Sequence, residues 1–252
     1  MKNLLVLIVT IIALIHMRCE DAQLEKNQLP VPVQRVELHD EQKQWLLALP
    51  AIIMEINRSS HDTLEAAPIS EETMQKEKML LQRDWGIANR FELLNAINRL
   101  EKYGTNATYQ KLLSLIKKNK DNNIDPLFSD IKTLKEQNYL LFLAKNNVAK
   151  KNIDIVAWDW GRATSLIRWG YQVGYLSEVE AWNMLLHFGN LIQHRFTSWQ
   201  EYGASYAYGR VFWASGFSQS DQYNTETQKA LNRLFSEDGL WRKLKWNVDI
   251  ST

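Results

Sequence analysis

The sequence predicts an all-α protein. It is read as a single multi-helix globular domain with a C-terminal antiparallel three-helix unit, preceded by a hydrophobic N-terminal segment. Three observations carry this reading. Glycine (10) and proline (5) are scarce among 252 residues, whereas β-rich folds need both at many tight turns. Apolar residues recur at spacings of three and four along most of the chain, and no stretch alternates long enough to make a strand. Helix start and stop signals fall where these periodic runs begin and end.

With 45% hydrophobic and 23% charged residues, the chain holds enough apolar material for one sizeable core or two small ones. The net charge is +1; removing residues 1–18 takes two cations, Lys2 and Arg18, and no anions, leaving −1. Neither balance suits a protein that coats nucleic acid or an anionic membrane, so no nucleic-acid partner is expected. Basic stretches at Lys117 and at Lys145 to Lys151 lack the interleaved aromatics that base stacking wants. Cys19 is the single cysteine, which excludes a disulfide framework and a cysteine-based metal site.

Residues 1–19 read as a signal peptide or a short membrane anchor. Lys2 precedes an apolar run from Leu4 to Ile15, shorter than the roughly 20 residues of a full span. The expected location is therefore exported or membrane-anchored, on the periplasmic side, with the membrane touched only through this segment. Met17 and Arg18 stand before Cys19 where a lipid-attachment site wants small residues, so a lipoprotein is not expected. Residues 20–39, with Pro30 and Pro32, have linker composition. The helical domain is assigned to 40–252.

Within that domain, the run from Asp40 carries Trp45, Leu46, Leu49, Ile52, Ile53 and Ile56 on one stripe, and Pro50 should split it near Ala48. Ser70 starts the next helix, acidic residues leading and basic ones following. Asn89 caps a helix striped by Leu93, Leu94, Ile97 and Leu100 and stopped by Gly104. A helix through TYQKLLSLIKKNK follows. Pro126 suits the first turn of a helix expected to continue from there through Asn147. The helix over IDIVAWDWGRATSLIRWGYQVG should end near Gly174. Ser177 with Glu180, and Ser198 with Glu201, have the S-x-x-E spacing of capping boxes and open two more helices. Joined by short turns, these three make the antiparallel unit. Thr225 and Gln228 are expected to open a last helix.

The segments AWDWGRATSLIRWGYQVGYLSEVEAW and SWQEYGASYAYGRVFW, with RDWGIANRFELLNAINRL upstream, resemble the bacterial family called domain of unknown function 1266. The resemblance covers about Leu80 to Leu244. It implies a helical domain and supplies no activity, substrate or cofactor. Its characteristic positions fall here on Trp85, Gly86, Asp159, Arg162, Gly170, Gly174, Tyr175, Glu180, Trp199, Tyr206, Gly209 and Arg210.

Asp159 and Arg162 lie three apart on one helix, within reach of each other, and flanking Trp158 and Trp160 argue for burial. One reading gives Arg162 or Arg168 an anionic ligand with Asp159 orienting it; the other makes a structural ion pair, shared with Glu180, that locks the helical hairpin. The second is favoured. Tyr206 with Arg210 is a further candidate for a ligand or structural cluster. Trp158, Trp182 and Trp199 are candidates to line an aromatic cleft. An Asp159/Glu180 acid–base pair is the weaker idea. Glu180, His187 and His194 recur every seven residues, about 10 Å apart along a helix, which no single ion bridges. No metal and no cofactor are expected. No phosphate-binding glycine loop, G-x-S-x-G or H-E-x-x-H is present.

The sequence thus favours a non-catalytic, envelope-associated domain that binds a protein partner. The alternatives are a small-ligand binder or enzyme built on Asp159, Arg162 and Glu180 in an aromatic cleft, and an immunity or toxin-associated protein.

Overall fold

Pro50 sets the first corner of the molecule. It lacks the N–H that would continue a helix, and the run from Asp40 divides into α1 (Asp40–Leu47) and α2 (Ala51–Asn57). The computed structural model describes residues 35–119, 124–146, 153–217 and 220–251. The N-terminal apolar run, Cys19 and the Pro30/Pro32 linker lie outside the described residues. The order continues with α3 (Glu71–Trp85), α4 (Arg90–Tyr103), α5 (Thr105–Lys118), a 3₁₀ turn (Asp125–Asp130) and α6 (Leu134–Lys145). It closes with α7 (Val156–Gln172), α8 (Glu178–Arg195), α9 (Trp199–Ser215), α10 (Ser220–Leu234) and α11 (Leu240–Lys243). All regular structure among the described residues is helical, as composition and periodicity require. None of these helices is long and apolar enough to cross a membrane.

The caps follow the sequence closely. Ser70 and Asn89 accept the N–H groups of Thr73 and Glu92. Ser177 and Glu180 form the full reciprocal box. Ser198 accepts from Glu201 N–H, but Glu201 reaches back one residue further, to Thr197 N–H at 2.8 Å, so that box is displaced rather than reciprocal. Gly174, at φ 79°, takes the left-handed conformation that ends α7.

Two expectations fail. The helix expected to run from Pro126 is broken: the 3₁₀ turn stops at Asp130, and Thr133, in extended conformation, caps a new helix by accepting Glu136 N–H. The T-x-x-E spacing there resembles that at Ser177, but Glu136 bonds the Thr133 hydroxyl rather than its N–H, so the box is half formed. The helix expected from Thr225 as the last one starts at Ser220, and the short α11 follows it. Thr225 and Thr227 sit inside α10 with their hydroxyls bonded back to the carbonyls of Asp221 and Tyr223, an arrangement a helix interior tolerates.

α7 is the axis of the fold, packed against α2, α3, α4, α5, α8 and α9. It is buried along most of its length, from Val156 to Gln172. The main core gathers α1, α2, α4 and α7 to α11 around residues such as Trp45, Leu93, Leu166, Phe188 and Tyr202, each fully buried. Each large apolar side chain so buried contributes about 1.5–3 kcal/mol. A satellite core of Tyr109, Leu112, Leu113, Ile131, Tyr139, Leu140, Leu143, Ile155 and Phe212 joins α5 and α6 to the start of α7 and to α9.

The corner at Pro50 leaves carbonyls that the C-terminal third supplies with donors. Tyr202 Oη donates to Leu49 O at 2.9 Å and Trp241 Nε1 to Ala48 O at 3.1 Å. Trp45 Nε1 donates in return to Trp246 O at 2.8 Å, and Trp199 Nε1 to Leu244 O at 3.0 Å. The rings pack on one another, with Trp199 and Trp241 stacked at 5.2 Å and Trp199 edge-on to Trp246 at 4.8 Å. These amphipathic aromatics thus join α1 and the Pro50 corner to the C-terminal segment.

Candidate functional site

α5 begins at Gly104, which has no side chain to accept the first N–H groups of the helix. Asp159 supplies the acceptor from α7. Its two carboxylate oxygens take Thr105 N–H at 3.0 Å and Asn106 N–H at 2.7 Å. Glycine is needed here for room: a Cβ at Gly104 would overlap the Asp159 carboxylate, lying 2.7 Å from Oδ1. Arg162, one turn on, completes the group. It pairs with Asp159 at 2.5 Å and donates to Thr105 Oγ1 at 3.1 Å and to Trp158 O at 3.3 Å. Its guanidinium lies over Trp158 at 4.4 Å and Trp85 at 5.7 Å. Asp159 is 1% exposed, so its charge is balanced inside the protein by Arg162 and by the positive end of α5.

Glu180 is not part of that cluster. Its carboxylate accepts Ser177 N–H at 2.8 Å and pairs with Arg90 of α4 at 2.6 Å. Burial pushes the Glu180 carboxyl up, but the Ser177 and Arg90 donors outweigh it and hold the pKa below the ordinary value. The Asp159/Arg162/Glu180 group divides into two stitches: one holds α5 to α7, the other α4 to the start of α8. An acid–base pair of Asp159 with Glu180 would need both carboxylates facing one space, and their bonding partners lie on different helices.

Arg168 is fully buried. Its Nη2 donates to the carbonyls of Ser60 and Thr63 at 2.7 Å and of Glu65 at 3.2 Å, and its Nε to Leu64 O at 3.3 Å. Burial pulls the guanidinium down to about 10 while Glu65 and Asp62 pull it up, so it is a cation at neutral pH. Arg210 donates to Thr227 Oγ1 and Glu226 Oε2, both at 2.9 Å, and lies over Tyr223. Tyr206 is 1% exposed and edge-on to Trp158 at 5.1 Å, and burial raises its phenol to about 12.

The three tryptophans expected to line a cleft occupy three environments. Trp158 packs on Tyr206, Trp213 and Arg162. Trp199 is enclosed among Trp45, Trp241 and Trp246. Trp182 bonds Glu178 and lines a shallow groove of about 30 Å³ with Arg35, Val36 and Lys43. His187 faces Glu101 at 3.0 Å and His194 bonds Asn190 O at 2.7 Å, so the heptad of Glu180, His187 and His194 serves three separate partners. No group of three or more metal-ligating side chains occurs among the described residues.

The residues that sequence reading missed are the partners: Gly104 and Thr105, Arg90, the 60–65 carbonyls, Glu226 and Thr227. One signal was available. A helix whose N-cap is glycine needs an acceptor from elsewhere, and a buried aspartate on another helix can supply one.

No curated protein and no solved structure matches the chain. A family model matches residues 80–246, from within α3 to Trp246 just beyond α11, and takes in Asp159, Arg162, Arg168, Glu180, Tyr206 and Arg210. The polar stitches described above lie largely inside that stretch, and the chain belongs to the DUF1266 family of proteins of unknown function.

Proposed function

We propose that this chain is a non-catalytic domain that binds a protein partner at the cell envelope, which it reaches through its N-terminal apolar segment. One observation supports the reading above the others. The charged candidate side chains are committed to structural partners: Asp159 to a helix start, Glu180 to a capping box and Arg90, Arg210 to Glu226 and Thr227. Groups held this way are poor acids, bases or ligand hooks, because each would have to abandon an existing bond to act. The contact surface we favour is the outer stripe of α6, where Leu134 and Leu141, seven residues apart, are 73% and 49% exposed.

Photo-crosslinking in cells tests the binding. A photoreactive residue at Leu141 should give one discrete adduct that the same residue at exposed Lys229 on α10 does not. Adducts at neither position, or the same adducts at both, would refute the α6 surface. Fractionation tests the location: the full chain should follow membranes or the exported fraction, and recovery with cytosolic proteins would refute the envelope assignment.

A further inference from the structure

The loop between α2 and α3 lies over the C-terminal half of α7, and two side chains of α7 reach into it. Arg168 is 0% exposed and Gln172, one turn further, is 2% exposed. The four carbonyls of the loop occupy the Nε and Nη2 donors of Arg168. Gln172 Oε1 accepts Ala67 N–H at 3.2 Å, which fixes the amide orientation, since the amide nitrogen has no lone pair to accept it. Two donors remain. Arg168 Nη1 and Gln172 Nε2 are both shielded from solvent, and neither has a partner among the described residues.

The charge has no bonded counterpart either. Asp62 and Glu65 act on Arg168 through space only, and its hydrogen-bond partners are neutral carbonyls. A buried guanidinium with free donors is costly unless an acceptor, best an anionic one, completes it. The carbonyl dipoles all face the Nε and Nη2 donors, so Nη1 is the donor left for an anion. Gln172 Nε2 offers a second N–H from the same helix face, one turn away.

We infer that Arg168 Nη1 and Gln172 Nε2 bind a small monovalent anion, a halide or a formate-sized carboxylate, beneath loop 58–69. The burial of both side chains excludes a hydrated phosphate. The anion neutralises Arg168 and pins the loop to α7, so loop 58–69 is firm when the site is filled and looser when it is not.

The test uses the full chain in detergent, with chloride, formate or gluconate at constant ionic strength. Chloride-35 NMR should show saturable line broadening that formate competes away, and amide exchange in residues 58–67 should be slower in chloride or formate than in bulky gluconate. Broadening with no competition by formate would mark the site as a halide site; loop protection by formate without chloride broadening would mark it as a carboxylate site. Two variants decide the assignment. Gln172→Met removes one donor to the anion and should weaken binding about tenfold or more, the scale of a charge-assisted hydrogen bond. Gln172→Glu brings its own carboxylate to Arg168; it should abolish chloride broadening and make loop protection independent of the salt. Equal broadening in the wild type and both variants, or no effect of chloride and formate on broadening and loop exchange, would overturn the inference and leave the two donors to water.

Discussion

The main core and the satellite core rest on the same helix, α7, but they are fastened to it by different means. The main core is sewn by buried donors that reach backbone carbonyls far away in sequence: Tyr202 to Leu49, Trp241 to Ala48, Trp45 to Trp246, and Arg168 to the 60–65 loop. The satellite core has one short bond of that kind, Tyr109 Oη to Ile153 O at 2.8 Å, and otherwise relies on ring packing. Tyr139 stacks on Phe212 at 4.3 Å and Tyr109 meets the same ring edge-on at 5.2 Å. Its charged attachment is the Asp159 carboxylate at the start of α5, with Arg162 beside it. Its outer side carries the exposed Leu134 and Leu141. The difference teaches that this chain separates a densely cross-stitched body from a lobe held by one buried carboxylate, one short tyrosine bond and an aromatic cluster. A lobe of that kind is expected to open first, and it is also where we place the partner surface.

The largest effect should come from the joint between the two. Asp159→Ala leaves Arg162 buried beside Trp158 with its ion pair lost and uncaps α5. It should cost about 3–5 kcal/mol in denaturant unfolding, the scale for breaking a buried pair. Amide exchange should accelerate chiefly in α5 and α6; acceleration spread evenly over α1, α2 and α8 would break the comparison. A smaller effect tests the stitching of the main core. Tyr202→Phe orphans the Leu49 carbonyl and should cost about 1–3 kcal/mol. Tyr139→Phe removes a long bond of 3.3 Å to Trp213 O and should cost less. Equal losses would mean that hydroxyl bonding does not distinguish the two cores.

The smallest effect is acidic. The Glu180 pKa is held below its ordinary value of 4.5, the Ser177 and Arg90 donors outweighing burial. A depressed carboxylate contributes stability that is complete above its unfolded pKa and is lost as pH falls through the folded one. Glu180→Gln keeps a capping-box side chain and removes that charge. It should therefore flatten the fall in melting temperature below about pH 4.5, with under about 1 kcal/mol lost at neutral pH. An unchanged acid limb would remove Glu180 from the stitches that matter.

Features whose cause is local were legible in the sequence. Pro50 splits its helix because the missing N–H acts within one turn, and the caps at Ser70, Asn89 and Ser177 are decided by residues three apart. The same spacing placed Asp159 beside Arg162. The job of Asp159 was not legible, because the N–H groups it accepts lie more than fifty residues earlier, on a helix that lacks its own cap. In the sequence Arg168 is no more than one of two candidate anion-binding cations, and only the fold brings four carbonyls to it. Thr133 and Thr225 show the remaining limit. Both precede a polar residue three positions on, yet one caps a helix while the other bonds back inside one, and the choice is made by packing outside the window. The anion under loop 58–69 belongs to the same class: its two donors are one turn apart on α7, but their freedom depends on which loop carbonyls the fold delivers.

The central claim, that Asp159 is a cap for α5 rather than a reacting group, is tested most directly by a double-mutant cycle with Gly104. The φ of −65° at Gly104 is open to alanine, and the nearest atoms an added Cβ would meet are those of the Asp159 carboxylate, so the part of the Gly104→Ala cost that Asp159→Ala removes measures that contact. In urea unfolding, Gly104→Ala should cost about 1–3 kcal/mol in the wild type and close to nothing in the Asp159→Ala background. The same cost in both backgrounds would show that the carboxylate does not sit on that helix start, and would contradict the architecture described for this lobe.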